Sequence, residues 1–314
     1  MSYYRIAILA SLLFLHGQYS IFASTTGLPF LKLGVGAHAQ AMGSAYMAQS
    51  KDASATAWNP ASIAELKSQD IYIYRTQHIE NAAYNYLAYT HSLKNGKSGL
   101  GVSLGSYTKG TFEGRGENRE KLNDFSAADR FAAMAYALRV SPKVSVGANI
   151  KGISSNIESH SALGFAVDFS GNYRWSDRTQ VAVGFFNVGP SLNYSGSEVS
   201  LPSQFSIGLA HQAWGLVTLT ADSRTELFTQ KSQMSLGGEL NMGSLASLRM
   251  GYLSSLAKSG RNSGETGSVI GNSGGFATGV GFSLMQSIKL NYAFVSIGEL
   301  GGTHHIDLNW RFGK

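Results

Sequence analysis

The residues most able to do chemistry are sparse in this chain, and their spacing argues against a reactive or metal-binding cluster. His304 and His305 are adjacent, which first suggests a metal site. Neighbouring residues on a strand point to opposite faces, so the two rings cannot easily share an ion. The sequence has no cysteine, which excludes thiol catalysis and disulfide bonds. We therefore expect no metal and no cofactor.

A glycine-rich stretch at residues 34–39 formally matches a dinucleotide-binding pattern. Such a pattern indicates dinucleotide binding only when a strand precedes it and a βαβ unit follows. Neither is predicted around these residues. The stretch is therefore not interpreted as a nucleotide site.

The remaining ionisable candidates fall between strand-like segments. Glu158 and His160 share one predicted loop, and Glu113 and Glu117 share another. Solvated charge is the ordinary role of such residues. Residues 109–130 hold five basic and five acidic side chains, a balance that suits an exposed loop able to dock a protein partner.

The elements that position these residues are β-strands with period-two apolar patterning. The clearest is residues 305–312, where Ile306, Leu308, Trp310 and Phe312 alternate with polar residues. Alternation places the apolar set on one surface and His305, Asp307, Asn309 and Arg311 on the other. Repeated along a chain with no material left for a separate core, this pattern predicts a transmembrane antiparallel β-barrel whose apolar side chains face lipid.

About fourteen strands are predicted, most of them near the ten residues that a tilted strand needs to cross the apolar slab. Their predicted ranges are 69–75, 82–93, 99–108, 129–140, 143–153, 162–174, 179–187, 203–212, 216–224, 232–242, 246–254, 275–284, 287–297 and 304–312. Short turns alternate with longer polar loops such as 109–128, 188–202 and 255–274. Outer-membrane barrels show this asymmetry, with tight periplasmic turns and long outer loops.

Composition and the N-terminus are consistent with this class. After the first apolar stretch, no run of about 20 apolar residues appears, which excludes a helical membrane protein. The net charge of +6 is spread along the chain, which argues against nucleic-acid binding. Residues 1–24 read as a cleavable signal peptide. Export together with strand alternation predicts the Gram-negative outer membrane; a secreted soluble β-protein is the alternative.

Residues 25–67 do not alternate, and we expect them to form a short helical plug, or hatch, inside a barrel spanning 68–314. A lumen of fourteen strands is too wide for wall side chains alone to fill. Asp52 is expected to cap a short helix through Trp58, and Asn59-Pro60 to be the N-cap and first residue of another. The predicted hatch motif comprises Leu33, Gly34, Gly36, Met42, Gly43, Tyr46, Asp52, Trp58, Asn59 and Pro60.

This segment resembles the N-terminal signature of the PorV/PorQ family of outer-membrane proteins. The resemblance rests on residues 30–37 (FLKLGVGA), residues 41–46 (AMGSAY), and Asp52 followed by residues 58–61 (WNPA). The family is similar in turn to FadL-type channels, which share the Gly-x-Ala-Tyr and Asn-Pro-Ala elements. The resemblance implies a monomeric fourteen-stranded barrel with an N-terminal hatch, embedded in outer-membrane lipid.

Two functions follow from the resemblance. PorV-like members serve type IX secretion as cargo shuttles or adaptors, with translocon subunits, a sortase or cargo proteins as partners. FadL-like members take up hydrophobic molecules, which would place a hydrophobic ligand in the lumen. The sequence favours the first, because residues 30–37 match PorV/PorQ more closely.

An outer-membrane phospholipase is the enzyme alternative. Such enzymes hold a serine and a histidine on the barrel wall together with an orienting amide. The sequence singles out no such group, so we expect no enzymatic activity.

Overall fold

The computed structural model describes residues 26–78, 82–93, 96–115, 120–121, 123–158, 160–194, 196–229, 231–256, 275–296 and 301–313. The predicted signal peptide, residues 1–24, lies outside these ranges, as do Glu117 and most of the predicted loop 255–274. Within the described ranges, no helix is both long enough and apolar enough to cross a membrane.

Fourteen strands close into an antiparallel barrel, as predicted, with β1 pairing with both β2 and β16. The strands of the described residues are β1 (Gln69–Gln77), β2 (Ala83–Ser92), β3 (Ser98–Phe112), β4 (Phe125–Ser141), β5 (Val144–Ile157), β6 (His160–Ser176), β7 (Thr179–Val188), β8 (Leu192–Tyr194), β9 (Ser197–Val199), β10 (Gln204–Ala213), β11 (Val217–Glu226), β12 (Ser232–Met242), β13 (Ala246–Leu256), β14 (Gly275–Met285), β15 (Ile288–Ser296) and β16 (Gly302–Phe312). All of them except β8 and β9 belong to the barrel. Because the barrel is closed, its strands leave no unpaired sheet edge facing lipid in the band where they all overlap.

The strands β3 to β6 are longer than the sequence indicates, and this changes two loops. Pairing continues to Phe112↔Phe125 between β3 and β4, so the predicted loop 109–128 narrows to 113–124. Between β5 and β6, pairing reaches Ile157↔His160, so His160 lies in a strand and not in a loop. Backbone pairing continues into polar sequence once the strands have left the apolar slab, and apolar alternation does not reveal that extension.

The predicted loop 188–202 also contains secondary structure. Strands β8 and β9 pair with each other in a separate two-stranded hairpin. Leu192 is 1% exposed and packs against Gly164 on the inner face of β6. The hairpin therefore turns into the lumen from the end of the barrel that carries the longer loops, here called the long-loop end.

The two faces of the wall have the predicted chemistry. On β16, Ile306 and Trp310 are 53% and 44% exposed, whereas His305, Asp307 and Asn309 are buried against the lumen contents. Other outward side chains on the wall are also large and apolar, including Met134, Leu163 and Phe276. The outer surface is therefore a lipid-facing band.

Leu308→Arg is expected to cost about 2–4 kcal/mol of folding free energy, because the charge would enter hydrocarbon near the middle of β16. Leu245→Arg is the control. Leu245 lies in the turn between β12 and β13, where the cost should fall to about 0–1 kcal/mol. Urea titration in lipid vesicles, read by heat-modifiable mobility, measures both. Equal costs at the two positions would contradict the lipid band.

The N-terminal segment folds inside the barrel as four short helical turns. Two are 3₁₀ helices, Pro29–Lys32 and Pro60–Glu65, and two are α-helical, α1 (Ala37–Ala41) and α2 (Ala55–Trp58). Their alanines are almost all buried, so small side chains let the backbone lie close to the wall. We call residues 26–67 the hatch.

Candidate functional site: the lumenal hatch

The hatch begins near the long-loop end and runs through the lumen to the opposite end, here called the short-turn end. The amide of Gly27 donates to the Ser200 carbonyl at 3.1 Å, and Lys32 Nζ lies 2.9 Å from Glu226 Oε1 at the end of β11. At the other end, the Pro60–Glu65 helix leads into β1. The hatch therefore spans the length of the pore.

An aromatic cluster fills the long-loop half of the lumen. Leu28, Phe30 and Val35 of the hatch pack against Tyr72, Tyr74, Tyr84, Tyr86 and Tyr107 of the wall. Leu192 and Leu201, from the segment that turns inward after β7, complete it. Leu33 is half-buried at its edge. The chain's own side chains therefore occupy the part of the lumen best suited to an apolar molecule.

Asp307 on β16 fixes the start of α1. Its Oδ2 accepts the backbone N–H of His38 at 3.0 Å and the Tyr72 hydroxyl at 2.6 Å, while Asn291 Nδ2 donates to Oδ1 at 2.6 Å. Gly36 precedes α1 at φ 96°, and an added Cβ would lie 2.1 Å from the Tyr72 hydroxyl. Glycine is thus required here both by conformation and by space.

Glu239 on β12 forms a second anchor. Its Oε2 accepts a hydrogen bond from Arg249 Nε at 2.6 Å. His38 Nε2 lies 2.8 Å from the same oxygen, although without hydrogen-bond alignment. Gln49 Nε2 donates to Oε1 at 3.3 Å. One buried carboxylate thus contacts two separate turns of the hatch.

Asp222 on β11 forms the third anchor. Its Oδ2 accepts two backbone hydrogen bonds, from the N–H groups of Tyr46 at 2.8 Å and Met47 at 2.9 Å. Arg224, two residues along the strand, donates to the Ser44 carbonyl and lies 4.5 Å above the Trp58 ring. Buried amides need such acceptors, because an unsatisfied one costs about 1–3 kcal/mol.

Tyr46, Asp52 and Trp58 hold the turns of the hatch together. The Tyr46 hydroxyl donates to Asp52 Oδ2 at 3.2 Å, and its ring meets the Trp58 ring edge-on at 5.9 Å. Trp58 Nε1 donates to the Val35 carbonyl at 2.7 Å. Burial, reinforced by the Asp52 carboxylate, raises the pKa of Tyr46, so its hydroxyl stays protonated and donates.

Neither capping expectation is correct. The N-cap of α2 is Ser54, not Asp52, and no side chain caps this helix. Asp52 Oδ1 instead accepts the Ser54 N–H at 2.9 Å, in the turn that precedes the helix. Asn59 occupies the predicted N-cap position before Pro60, but its side chain does not cap. It donates instead to the Met47 carbonyl and to Asn172 Oδ1 on β6, because the wall offers it better-placed acceptors.

Gly34, Met42 and Gly43 lie in close contact with neighbouring residues of the hatch or of the wall. Gly34 leaves no room beside Gln40 and Trp58, and Met42 is fully buried against Gly237 on β12. Gly43 has φ 62°, and its amide lies where a Cβ on Gly251 would be placed. The ten hatch-motif residues are thus distributed along the hatch and do not converge on one ligand.

Two sizeable cavities lie at the short-turn end. One of about 930 Å³ is lined by the hatch and by the turns at residues 177–178 and 243–245. A cleft of about 600 Å³ adjoins it beside the C-terminal end of β16. A third space, of about 60 Å³ beside Trp58 and Arg224, is large enough only for a few water molecules.

The sequence predicts the hatch but not most of its partners on the wall. It predicts that Asp307 faces inward, whereas it gives no specific indication of Asp222, Arg224, Glu239 and Arg249. A signal for them was present, because each is a charged residue at an inward position of a strand whose other face is apolar. Charged residues are costly at such depth unless they are paired.

A closed antiparallel barrel of fourteen strands, with an apolar outer band and a lumen filled by an N-terminal hatch, defines an outer-membrane β-barrel protein. The family model described as "Type IX secretion system protein PorV" matches residues 18–215. The chain therefore belongs to the PorV family, which confirms the expectation drawn from the hatch motif.

Solved structures with a similar fold include hydrocarbon channels and a FadL homologue. The CymD monoaromatic hydrocarbon channel matches with a TM-score of 0.64 and 13% identity over 90% of this chain and 98% of that one. The Ralstonia pickettii toluene transporter TbuX gives 0.61 and 12%, over 89% and 99%. A Pseudomonas aeruginosa FadL homologue gives 0.61 and 11%, over 94% and 100%. At such identities the likeness shows the fold alone. A comparison with curated proteins gives no significant match.

Proposed function

We propose that this barrel serves type IX secretion as an adaptor or shuttle, binding cargo proteins, translocon subunits or a sortase. The family match supports a role in that system. The observation that carries the choice of role is the aromatic cluster, where Leu28 and Phe30 occupy the apolar part of the lumen. The two sizeable cavities among the described residues lie on the other side of the hatch, and charged side chains line them.

The second candidate is uptake of hydrophobic molecules. The fold shared with hydrocarbon channels supports it, and so does the tyrosine-rich wall around Leu28 and Phe30. If those two side chains withdrew, the space that they leave would suit an apolar ligand. This function requires the first turn of the hatch to move, whereas the adaptor function does not.

We also propose that the barrel has no catalytic role, is monomeric, and loses residues 1–24 on export. A phospholipase requires a Ser–His pair. The ring nitrogens of His38, His91, His211, His304 and His305 lie near tyrosine or threonine hydroxyls. At each of these five histidines, the hydroxyl in contact with the ring belongs to tyrosine or threonine and not to serine, which supports the proposal.

Affinity purification from membranes of the source bacterium tests the adaptor function. The tagged protein is expected to co-purify with secreted cargo or translocon subunits. Replacing residues 113–124 with a Gly/Ser linker of equal length should reduce recovery, because these residues join the long strands β3 and β4. The control replaces residues 257–268, an equally long stretch between β13 and β14, with the same linker and should leave recovery unchanged.

The competing outcome is measured on the purified barrel. If it carries long-chain or aromatic apolar molecules by native mass spectrometry and no protein partner is recovered, uptake is the function. Phe30→Ala should then increase the bound amount by enlarging the apolar space. Recovery of partners with no apolar ligand supports the adaptor.

A further inference from the structure

The short-turn end of the barrel opens into a continuous polar mouth. The cavity of about 930 Å³ and the cleft of about 600 Å³ share Lys51, Glu65, Gln286 and Arg311 in their linings. The hatch closes the mouth from the inside. Outer-membrane barrels place their short turns in the periplasm, so the mouth faces that compartment.

Lysine and arginine side chains outnumber carboxylates in the lining of this mouth. Lys51, Arg174, Arg178, Lys289 and Arg311 all line the larger cavity. Arg174 lies 3.4 Å from Glu65, and Arg311 lies 3.5 Å from Asp70. Within the described part of the chain, Lys51, Arg178 and Lys289 form no ion pair, in contrast to Arg174 and Arg311.

The acidic residues that line the same cavity are mostly engaged already. Asp52 accepts hydrogen bonds from Tyr46 and Ser54, and Glu239 is bound to Arg249. Glu65 is shared between Arg174 and Gln180. Asp177, in the turn beside Arg178, is the fourth acidic residue of the lining. The unpaired Lys51, Arg178 and Lys289 outnumber it, so the mouth keeps a net positive charge.

The cations form two groups on different sides of the mouth. Lys289 pairs in register with Asn309, so Lys289 and Arg311 are diagonal neighbours on the inner face, and Arg311 Nη2 donates to the Lys51 carbonyl at 2.9 Å. Arg174 and Arg178 flank the turn between β6 and β7, on the far side of the ring. One cavity connects the two groups.

We propose that this basic mouth binds an acidic polypeptide segment presented from the periplasm. A small anion would contact one cation group and leave the other unpaired. An extended segment carrying several carboxylates reaches both groups through the connecting cavity and replaces like-charge repulsion with attraction. This site does not depend on whether the barrel is an adaptor or a channel.

The test uses the full barrel in nanodiscs of zwitterionic phosphatidylcholine, so that no anionic lipid competes. The probe is a fluorescent peptide of about ten residues rich in glutamate, with a glutamine analogue as its uncharged partner. Anisotropy should show binding of the acidic peptide alone, weakening as NaCl is raised because the contacts are partly exposed to solvent.

The variant is Lys51→Gln, Arg178→Gln and Lys289→Gln, chosen because these three side chains hold no ion pair that the fold would lose. It is expected to weaken binding by about tenfold or more. The control, Lys121→Gln, Arg130→Gln and Lys231→Gln, removes equal charge at the long-loop end and should leave binding unchanged. Heat-modifiable mobility verifies that both variants fold.

Three results would overturn the proposal. Equal binding of the glutamine analogue would show that charge does not direct recognition. Equal weakening in both triple variants would show only a long-range effect of net charge. Complete competition by inorganic phosphate at matched charge concentration would identify a small-anion site. Selective loss in the mouth variant, with phosphate competing poorly, supports the polypeptide site.

Discussion

Asp222→Ala is expected to detach the middle of the hatch and to cost about 3–5 kcal/mol. The change removes the acceptor of the Tyr46 and Met47 amides and leaves the Arg224 guanidinium, 3.7 Å from the lost carboxylate, without its counter-charge. The strand ladders around Asp222 are unaffected, because backbone groups alone form them. The loss should therefore appear in the hatch and not in the wall.

Hydrogen exchange measures this effect directly. Protection of the Tyr46 and Met47 amides is expected to collapse in Asp222→Ala, while the strand amides of β11 and β12 keep theirs. Asp222→Asn is the matched variant, since it preserves the shape and one acceptor oxygen and should lose less. If both amides remain protected in Asp222→Ala, this carboxylate does not anchor the hatch.

Gly251→Val is expected to push the hatch off the wall and open the pore. An added Cβ on Gly251 would lie 1.9 Å from the Gly43 nitrogen and 2.2 Å from the Met42 carbonyl carbon. Gly251 is fixed by ladders to Gly237 on β12 and Ala277 on β14, so the strand cannot retreat. Overpacking of this kind costs about 1–3 kcal/mol, and the cost falls on the contact between hatch and wall.

Single-channel conductance in planar bilayers is the measurement, with sensitivity of intact cells to a bulky antibiotic as the cellular counterpart. Both are expected to rise several-fold in Gly251→Val. Gly152→Val is the control, because it makes the same substitution on β5 at a position where a Cβ meets no atom within 4 Å. Conductance that stays at the parent level would show that the hatch tolerates displacement without opening a pore.

Much of the wall could be predicted because strand structure is a local property of the sequence. The alternation of Ile306, Leu308 and Trp310 with polar residues assigns one side of the strand to lipid. When many strands of a chain show this pattern, only a closed barrel can satisfy their backbone groups in lipid. The ends of the strands are less predictable from apolar alternation. Those of β3, β4 and β5 differ from prediction by up to four residues, because pairing there continues into polar sequence.

The hatch is predictable from sequence only in part. Its sequence alone predicts a short helical plug, and the motif around Trp58, Asn59 and Pro60 indicates the family. The roles of individual residues depend on distant partners. Asn59 directly precedes Pro60, as a helix N-cap residue would. Its side-chain amide nevertheless donates a hydrogen bond to Asn172 Oδ1, more than a hundred residues away, because packing places that acceptor next to it.

The sequence by itself therefore determined the class of fold, the approximate number of wall strands and the presence of a helical hatch, because periodicity and residue size act locally. Tertiary structure decided which wall carboxylates hold the hatch, where the cavities lie and how charge is distributed around the mouth. Asp222 contacts Tyr46, and Arg311 contacts Lys51, only when the barrel has closed around the hatch. Those contacts depend on long-range geometry, which no local pattern of residues encodes.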